Sequence, residues 1–155
     1  MNVREIRDLL ASEPFFHGLD GAYLDLIAGC GTNIHFDAGV MIFREGEPAN
    51  TFYVVRKGKV ALEIHVPERG ALVIETLGSG DVLGWSWLFP PYRWQFDARA
   101  MESTSAVALD GACLRDKCDD DTRLGYGLMQ RFARVSQERL QATRLQLLDV
   151  YGNAG

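Results

Sequence analysis

Apolar positions along the chain change their period twice. Residues 2–11 place Val3, Ile6, Leu9 and Leu10 at helical spacing, and Pro14 follows, which predicts a short amphipathic helix that stops there. A second helix is expected from Gly21 to Ala28, where Asp20 can cap the start, Tyr23, Leu24 and Ile27 share a face, and Gly29 and Gly31 end it. From Asn33 the period falls to two. Ile34 and Phe36, then Val40, Ile42 and Phe43, flank Asp37-Ala38-Gly39, which reads as a hairpin with a tight turn.

The alternation continues through Phe52–Val55, Val60–His65, Leu72–Ile74, Val82–Leu83, Phe96–Ala100 and Ala106–Leu109. Gly46, Gly58, Gly70, Gly78 and Gly80 punctuate it at intervals near the ~8–12 residues expected of sandwiches and barrels. About eight short strands predict a mainly β fold, a jelly roll or rolled β-sandwich, with short N-terminal helices and a long C-terminal helix. Gly111 to Lys117 has room for a helical turn or two. The Asp119-Asp120-Asp121 run then sits where the cap of the long helix belongs, and a helix from about Asp120 to about Val150 would be ~45 Å long.

On that helix Leu124, Leu128, Phe132 and Val135 follow steps of four, four and three, the narrow stripe of a two-helix seam. They are the expected homodimer interface, with packing on the chain's own β-domain as the alternative. The expected organisation is therefore residues 1–118 for the helices and roll, 119–151 for a dimerisation helix and 152–155 for a disordered tail.

A length of 155 residues and a hydrophobic share of 47% fit one domain with a long terminal element. The 16 Lys and Arg against 21 Asp and Glu leave a net charge of −5, and the five arginines of the terminal helix are balanced by acids. Neither figure supplies a general attraction for nucleic acid or an anionic membrane. No apolar run nears the ~18 residues of a membrane span, so a cytoplasmic protein is expected. Cys30, Cys113 and Cys118 are three, an odd count without a two-residue spacer, and read as reduced thiols.

Catalytic and metal chemistries find little support. His17, His35 and His65 are isolated, without the His-x-His and Glu of a cupin strand, so no metal site is expected. There is no Gly-x-Ser-x-Gly elbow, and Gly78-Ser79-Gly80-Asp81 lacks the Gly-Lys-Ser/Thr of a phosphate loop. Three scattered cysteines fall short of an iron–sulfur ligand set. A non-enzymatic chain is the expectation, with a small jelly-roll enzyme as the alternative from another class.

Two stretches carry a family resemblance. Phe43-Arg44-Glu45-Gly46-Glu47-Pro48 leading into Phe52-Tyr53-Val54-Val55 and Gly58-Lys59-Val60, and then Leu77-Gly78-Ser79-Gly80-Asp81-Val82-Leu83-Gly84, resemble the corners of the cyclic nucleotide-binding domain family. That family includes bacterial regulators of the catabolite-activator type and kinase regulatory subunits. The resemblance implies a β-roll sensor whose ligand sits in a cassette of the form Gly-Glu-x-x-Leu, five residues, Arg. A short helix opens after the glycine with its backbone N–H groups toward the cyclic phosphate, the arginine pairs with the same oxygens, and the glutamate accepts from the ribose.

In this chain the cassette runs Gly84-Trp85-Ser86-Trp87-Leu88-Phe89-Pro90-Pro91-Tyr92-Arg93-Trp94-Gln95. Gly84 and Leu88 match; Trp85 stands at the glutamate and Trp94 at the arginine. Losing two charge-assisted hydrogen bonds of about 1.5–3 kcal/mol each weakens a cyclic nucleotide by about two to four orders of magnitude. Three outcomes follow for the pocket. The aromatics, with Phe89 and Phe96, fill it from within; or they line it for a flatter ligand contacted by Ser86, Arg93, Gln95 and Arg99; or Pro90-Pro91 shifts the loop so that Arg93 takes the arginine's place.

The expected cofactor is none, with a cyclic nucleotide as the exception the third outcome would allow. The family's transcription regulators continue past the long helix into a helix-turn-helix, whereas Val150 is followed only by Tyr151 to Gly155, so DNA recognition in cis is not expected. An adaptor or sensor is left, whose output is its own dimer or its affinity for a partner protein.

Overall fold

The computed structural model describes residues 2–153. Helix α1, Val3–Ala11, opens on a capping box in which Asn2 Oδ1 accepts the Glu5 N–H at 2.9 Å and Glu5 accepts the Asn2 N–H at 3.2 Å. A 3-10 turn at Pro14–Phe16 buries both phenylalanines. Helix α2, Gly21–Ala28, is capped by Asp20, whose carboxylate accepts from Ala22 N–H.

Eight strands follow: β1 (Gly31–Phe36), β2 (Met41–Phe43), β3 (Thr51–Lys57), β4 (Val60–Val66), β5 (Gly70–Leu77), β6 (Val82–Leu83), β7 (Asp97–Ala100) and β8 (Thr104–Asp110). They form two antiparallel four-stranded sheets, β1-β8-β3-β6 and β2-β7-β4-β5, the jelly-roll architecture expected. The expected hairpin is corrected: β1 pairs with β8 and β2 with β7, so the two strands lie in different sheets and Asp37-Ala38-Gly39 carries the chain between them.

The period of two along β3 explains the core. Phe52 and Val54 face a layer of helices, with Ile6, Leu10, Phe16 and Ile27, while Val55 and the partly buried Tyr53 face the space between the sheets, with Phe43, Leu62, Leu77 and Ala98. Helix α3, Gly111–Asp120, starts as β8 ends, capped by Asp110. Asp121 then breaks the helix, and its carboxylate accepts the N–H groups of Arg123 and Leu124 at the start of α4, Thr122–Asn153. The 32 residues of α4 span about 48 Å. Residues 152–153 continue this helix; the rest of the expected tail, 154–155, lies outside the described residues.

Two further expectations change. Leu124, Leu128 and Phe132 are buried among the chain's own helices and first sheet, and Val135 packs against the same cluster. The stripe chosen as a seam is occupied within the chain, because α4 folds back over the sheet immediately after α3. The cysteines are not all thiols: Cys30 and Cys113 form a disulfide, and Cys118 alone is free. The ladder brings the pair together, since Asp110 N–H donates to Cys30 C=O at 2.9 Å and α3 begins one residue later. No helix of the described residues is long and apolar enough to cross a membrane.

Candidate functional site

The segment between β6 and β7 begins at Gly84, where φ is +86° and a side chain would be strained. A Cβ there would also collide with the Trp94 ring. The 3-10 turn Ser86–Leu88 follows, partly burying Ser86 and Leu88 and fully burying Trp87. Beyond it, exposed Phe89 and the cis Pro90–Pro91 bond lead to Tyr92, and Arg93 pairs in an isolated bridge with Pro48.

The three indoles go to three different places. Trp87 enters the helical core, 5.9 Å from the rings of both Phe52 and Phe132, and its carbonyl accepts from Arg115. Its buried Nε1 has no acceptor among the described residues. Trp94 enters the space between the sheets and stacks on Phe43 with centroids 3.7 Å apart and planes within 6°. Backbone bonds hold it there: Trp94 N–H donates to Glu47 C=O at 3.0 Å and Gly46 N–H to Trp94 C=O at 2.9 Å. Trp85 is half-buried against α4, 6.2 Å from Phe132, with the Arg139 guanidinium 4.9 Å above its ring.

Arg139 ties this corner together. It pairs with Glu75 at 3.2 Å and donates to Val82 C=O at 2.6 Å, bridging β5, β6 and the cassette to α4. Burial lowers its pKa, while Glu75 and Asp81 oppose the shift. Neither Arg139 nor Phe43 was among the site residues expected from the sequence. Their only signals were a charge on a charged helix and an aromatic in a strand, and neither names its partner.

The polar side chains expected to contact a ligand do not converge. Arg93 is exposed and donates to Gly46 C=O at 2.9 Å, Gln95 is exposed and donates to Arg93 C=O at 3.2 Å, and Arg99 pairs with buried Glu63 at 3.0 Å. Arg93 does not take the arginine's place; the neighbouring Trp94 points into the roll instead. Tyr92 lies beneath Arg115, 4.5 Å from the guanidinium, which braces the loop from outside.

Two rolled antiparallel sheets, a glycine-opened short helix between β6 and β7, and a long helix folded back on the first sheet define a sensor-type β-roll. The cyclic nucleotide-binding domain model matches residues 33–121, more than half of the chain, and the chain belongs to that family. A CRP-like cAMP-activated global transcriptional regulator of Mycobacterium tuberculosis is 25% identical over 143 residues, covering 92% of this chain and 62% of the regulator. The chain thus spans less than two thirds of that relative. A solved chain from Geobacter metallireducens superposes with a TM-score of 0.77 at 26% identity, covering 90% of this chain and 98% of that one. The sensor domain of the transcriptional regulator DNR from Pseudomonas aeruginosa shares the fold at a TM-score of 0.72 and 21% identity, over 90% of this chain and 93% of that one.

Proposed function

We propose that this chain is a non-enzymatic regulatory adaptor of the cyclic nucleotide-binding family, working in the cytoplasm, whose roll holds the Trp94 indole in place of a nucleotide. The observation that carries this reading is Trp94, at the position of the family's arginine, stacked on Phe43 directly over Gly84. An indole offers no charge to a cyclic phosphate. Withdrawing it would forfeit the stack, worth about 0.5–1.5 kcal/mol beyond its area, as well as its burial between the sheets. Trp85, at the position of the ribose-binding glutamate, is engaged by Phe132 and Arg139 of α4. The contact between cassette and helix that a ligand would otherwise organise is thereby supplied by the chain itself.

The adaptor's output is its α4 surface. Tyr126, Met129, Ala133, Leu140, Leu147 and Val150 are all exposed. Their steps of three, four and seven match a heptad seam on a face about a third of a turn from the buried stripe. A second copy of the chain is the proposed occupant, through this face rather than through Leu124, Leu128, Phe132 and Val135.

Titrating cyclic AMP and cyclic GMP while following tryptophan fluorescence tests the cassette, because all three reporters lie between Gly84 and Gln95. The expected result is no saturable change up to about 1 mM, a nucleotide affinity weaker than about −4 kcal/mol. Saturable quenching at micromolar nucleotide overturns the reading.

A further inference from the structure

The Cys30–Cys113 disulfide joins residues 83 apart and closes on the first turn of α3. Its two ends differ in access. Cys30 is buried just past the end of α2, whereas Cys113 is partly exposed. A thiol donor arriving from solvent meets Cys113 first.

Both ends lie where a thiolate is stabilised. Cys113 stands in the first turn of α3, its N–H bonded to the capping Asp110 at 2.9 Å, and so at the positive end of a ten-residue helix. Cys30 Sγ lies 4.0 Å from Leu26 C=O, the same oxygen to which Lys117 Nζ donates at 2.5 Å. An ammonium sharing that carbonyl with the buried sulfur steadies the negative charge Cys30 acquires when the S–S bond opens. The third cysteine, Cys118, is free and takes no part in the bond.

Helix α3 also grips the cassette. Arg115 donates to Trp87 C=O and lies 4.5 Å over the Tyr92 ring, while Lys117 ties the same helix to α2. The helix whose start Cys113 anchors is thus the one that braces the segment between β6 and β7, and α4 follows it at Thr122.

We propose that Cys30–Cys113 is a reversible thiol–disulfide exchange site, opened by a dithiol donor that attacks Cys113 Sγ with Cys30 as leaving group, and that its state sets how firmly α3 holds the cassette. The donor thiolate forms a mixed disulfide with Cys113 as the Cys113–Cys30 bond breaks and Cys30 departs as a thiolate. The donor's second thiolate then displaces Cys113. Two electrons pass from the dithiol to the cystine, the donor ends as its own disulfide, and its two protons end on Cys30 and Cys113. Where a cystine occurs in a reducing compartment, transient and redox-sensing roles prevail over structural ones. The exchange is independent of what fills the roll, so a roll that binds nucleotide would leave it standing.

Treating the oxidised full chain with dithiothreitol, and quenching with iodoacetamide to count free thiols by mass, tests it. Reduction without urea is expected at a rate within about tenfold of that in the urea-unfolded chain, and Cys118→Ser should leave the rate unchanged. In about 5 mM glutathione, pulse alkylation should find the glutathione adduct on Cys113 and the alkylated thiol at Cys30. Lys117→Gln should slow the exchange roughly threefold or more, because the departing thiolate loses its cation. Tryptophan emission should change on reduction through Trp87 and return when oxidised glutathione reforms the bond. Reduction slower than the tenfold limit, an adduct on Cys30, a folded Lys117→Gln that exchanges as wild type, or emission indifferent to the bond overturns the proposal. Where Lys117→Gln misfolds, the sulfur trapped in wild type still decides it.

Discussion

Leu124, Leu128 and Phe132 on the first half of α4 are 0, 2 and 4% exposed, whereas Leu145, Leu148 and Tyr151 on its second half are 61, 66 and 71% exposed. Both halves belong to one helix and carry large apolar side chains. The difference is what lies beneath them. Phe132 meets the rings of Phe15, Phe52, Trp85 and Trp87 within 6.2 Å, while the cleft between α4 and the end of β5 is lined no further than Ala142 and the helix runs on to Asn153. A domain of this size cannot cover a helix of about 48 Å, so the first half completes the core and the second is left exposed.

Breaking the first half should produce the largest effect. Phe132→Ala removes a ring shared by four aromatic neighbours and is expected to cost about 3–5 kcal/mol, read from urea unfolding. Leu147→Ala at a dilution that leaves single chains should change stability by less than about 0.5 kcal/mol. Equal losses would erase the distinction between the halves.

The anchor ahead of the first half comes next. Cys30 and Cys113 are 83 residues apart, and their bond fixes the start of α3 to the end of α2 beside a 2.5 Å contact from Lys117 to Leu26 C=O. Cys30→Ser is expected to lower stability by about 2–5 kcal/mol under non-reducing conditions. A dithiol reductant should bring wild type toward the same value. A wild-type unfolding midpoint indifferent to reductant would contradict the bond. In a reducing compartment such bonds are rare.

For the second half, Leu140→Asp with Leu147→Asp should abolish self-association in sedimentation without shifting the melt of the single chain. A wild type that stays monomeric at roughly tens of micromolar would remove the second copy as occupant.

The smallest effect concerns Cys118, at the elbow before α4. Burial raises its thiol pKa, and Asp119 and Asp121 raise it further. Its thiolate therefore forms at higher pH in the folded chain than in the unfolded one, and alkylation near neutral pH should be slower natively than in urea. The gap should close as pH rises past the folded value. The same shift makes this group oppose folding as pH climbs through the thiol range, since the unfolded chain ionises first. Equal rates in both states would show that the elbow does not shelter the thiol.

Much of the fold is legible in local spacing. The period of two marks β3 and β4, Asn2 and Asp20 act as caps, Asp121 stands at the break before α4, and the glycine corners fall between strands. Each signal is carried by residues within a turn or two of one another, where sterics and hydrogen bonding act without the rest of the chain. The hairpin expectation failed because alternation in β1 and β2 says which faces are buried but not which strand lies alongside. The proposed site rests on position alone: the resemblance sets Trp85 and Trp94 where the family's charged contacts belong.

The sequence alone determined that three indoles fall in the segment after Gly84, and that a long helix follows the roll. The tertiary structure decided that Trp94 and not Arg93 enters the roll, that Trp85 meets Arg139, that Cys30 meets Cys113, and which face of α4 is left bare. Each of those outcomes depends on groups brought together from distant parts of the chain. Spacing within a segment encodes the direction a side chain takes, and only the packed layers determine what it finds there.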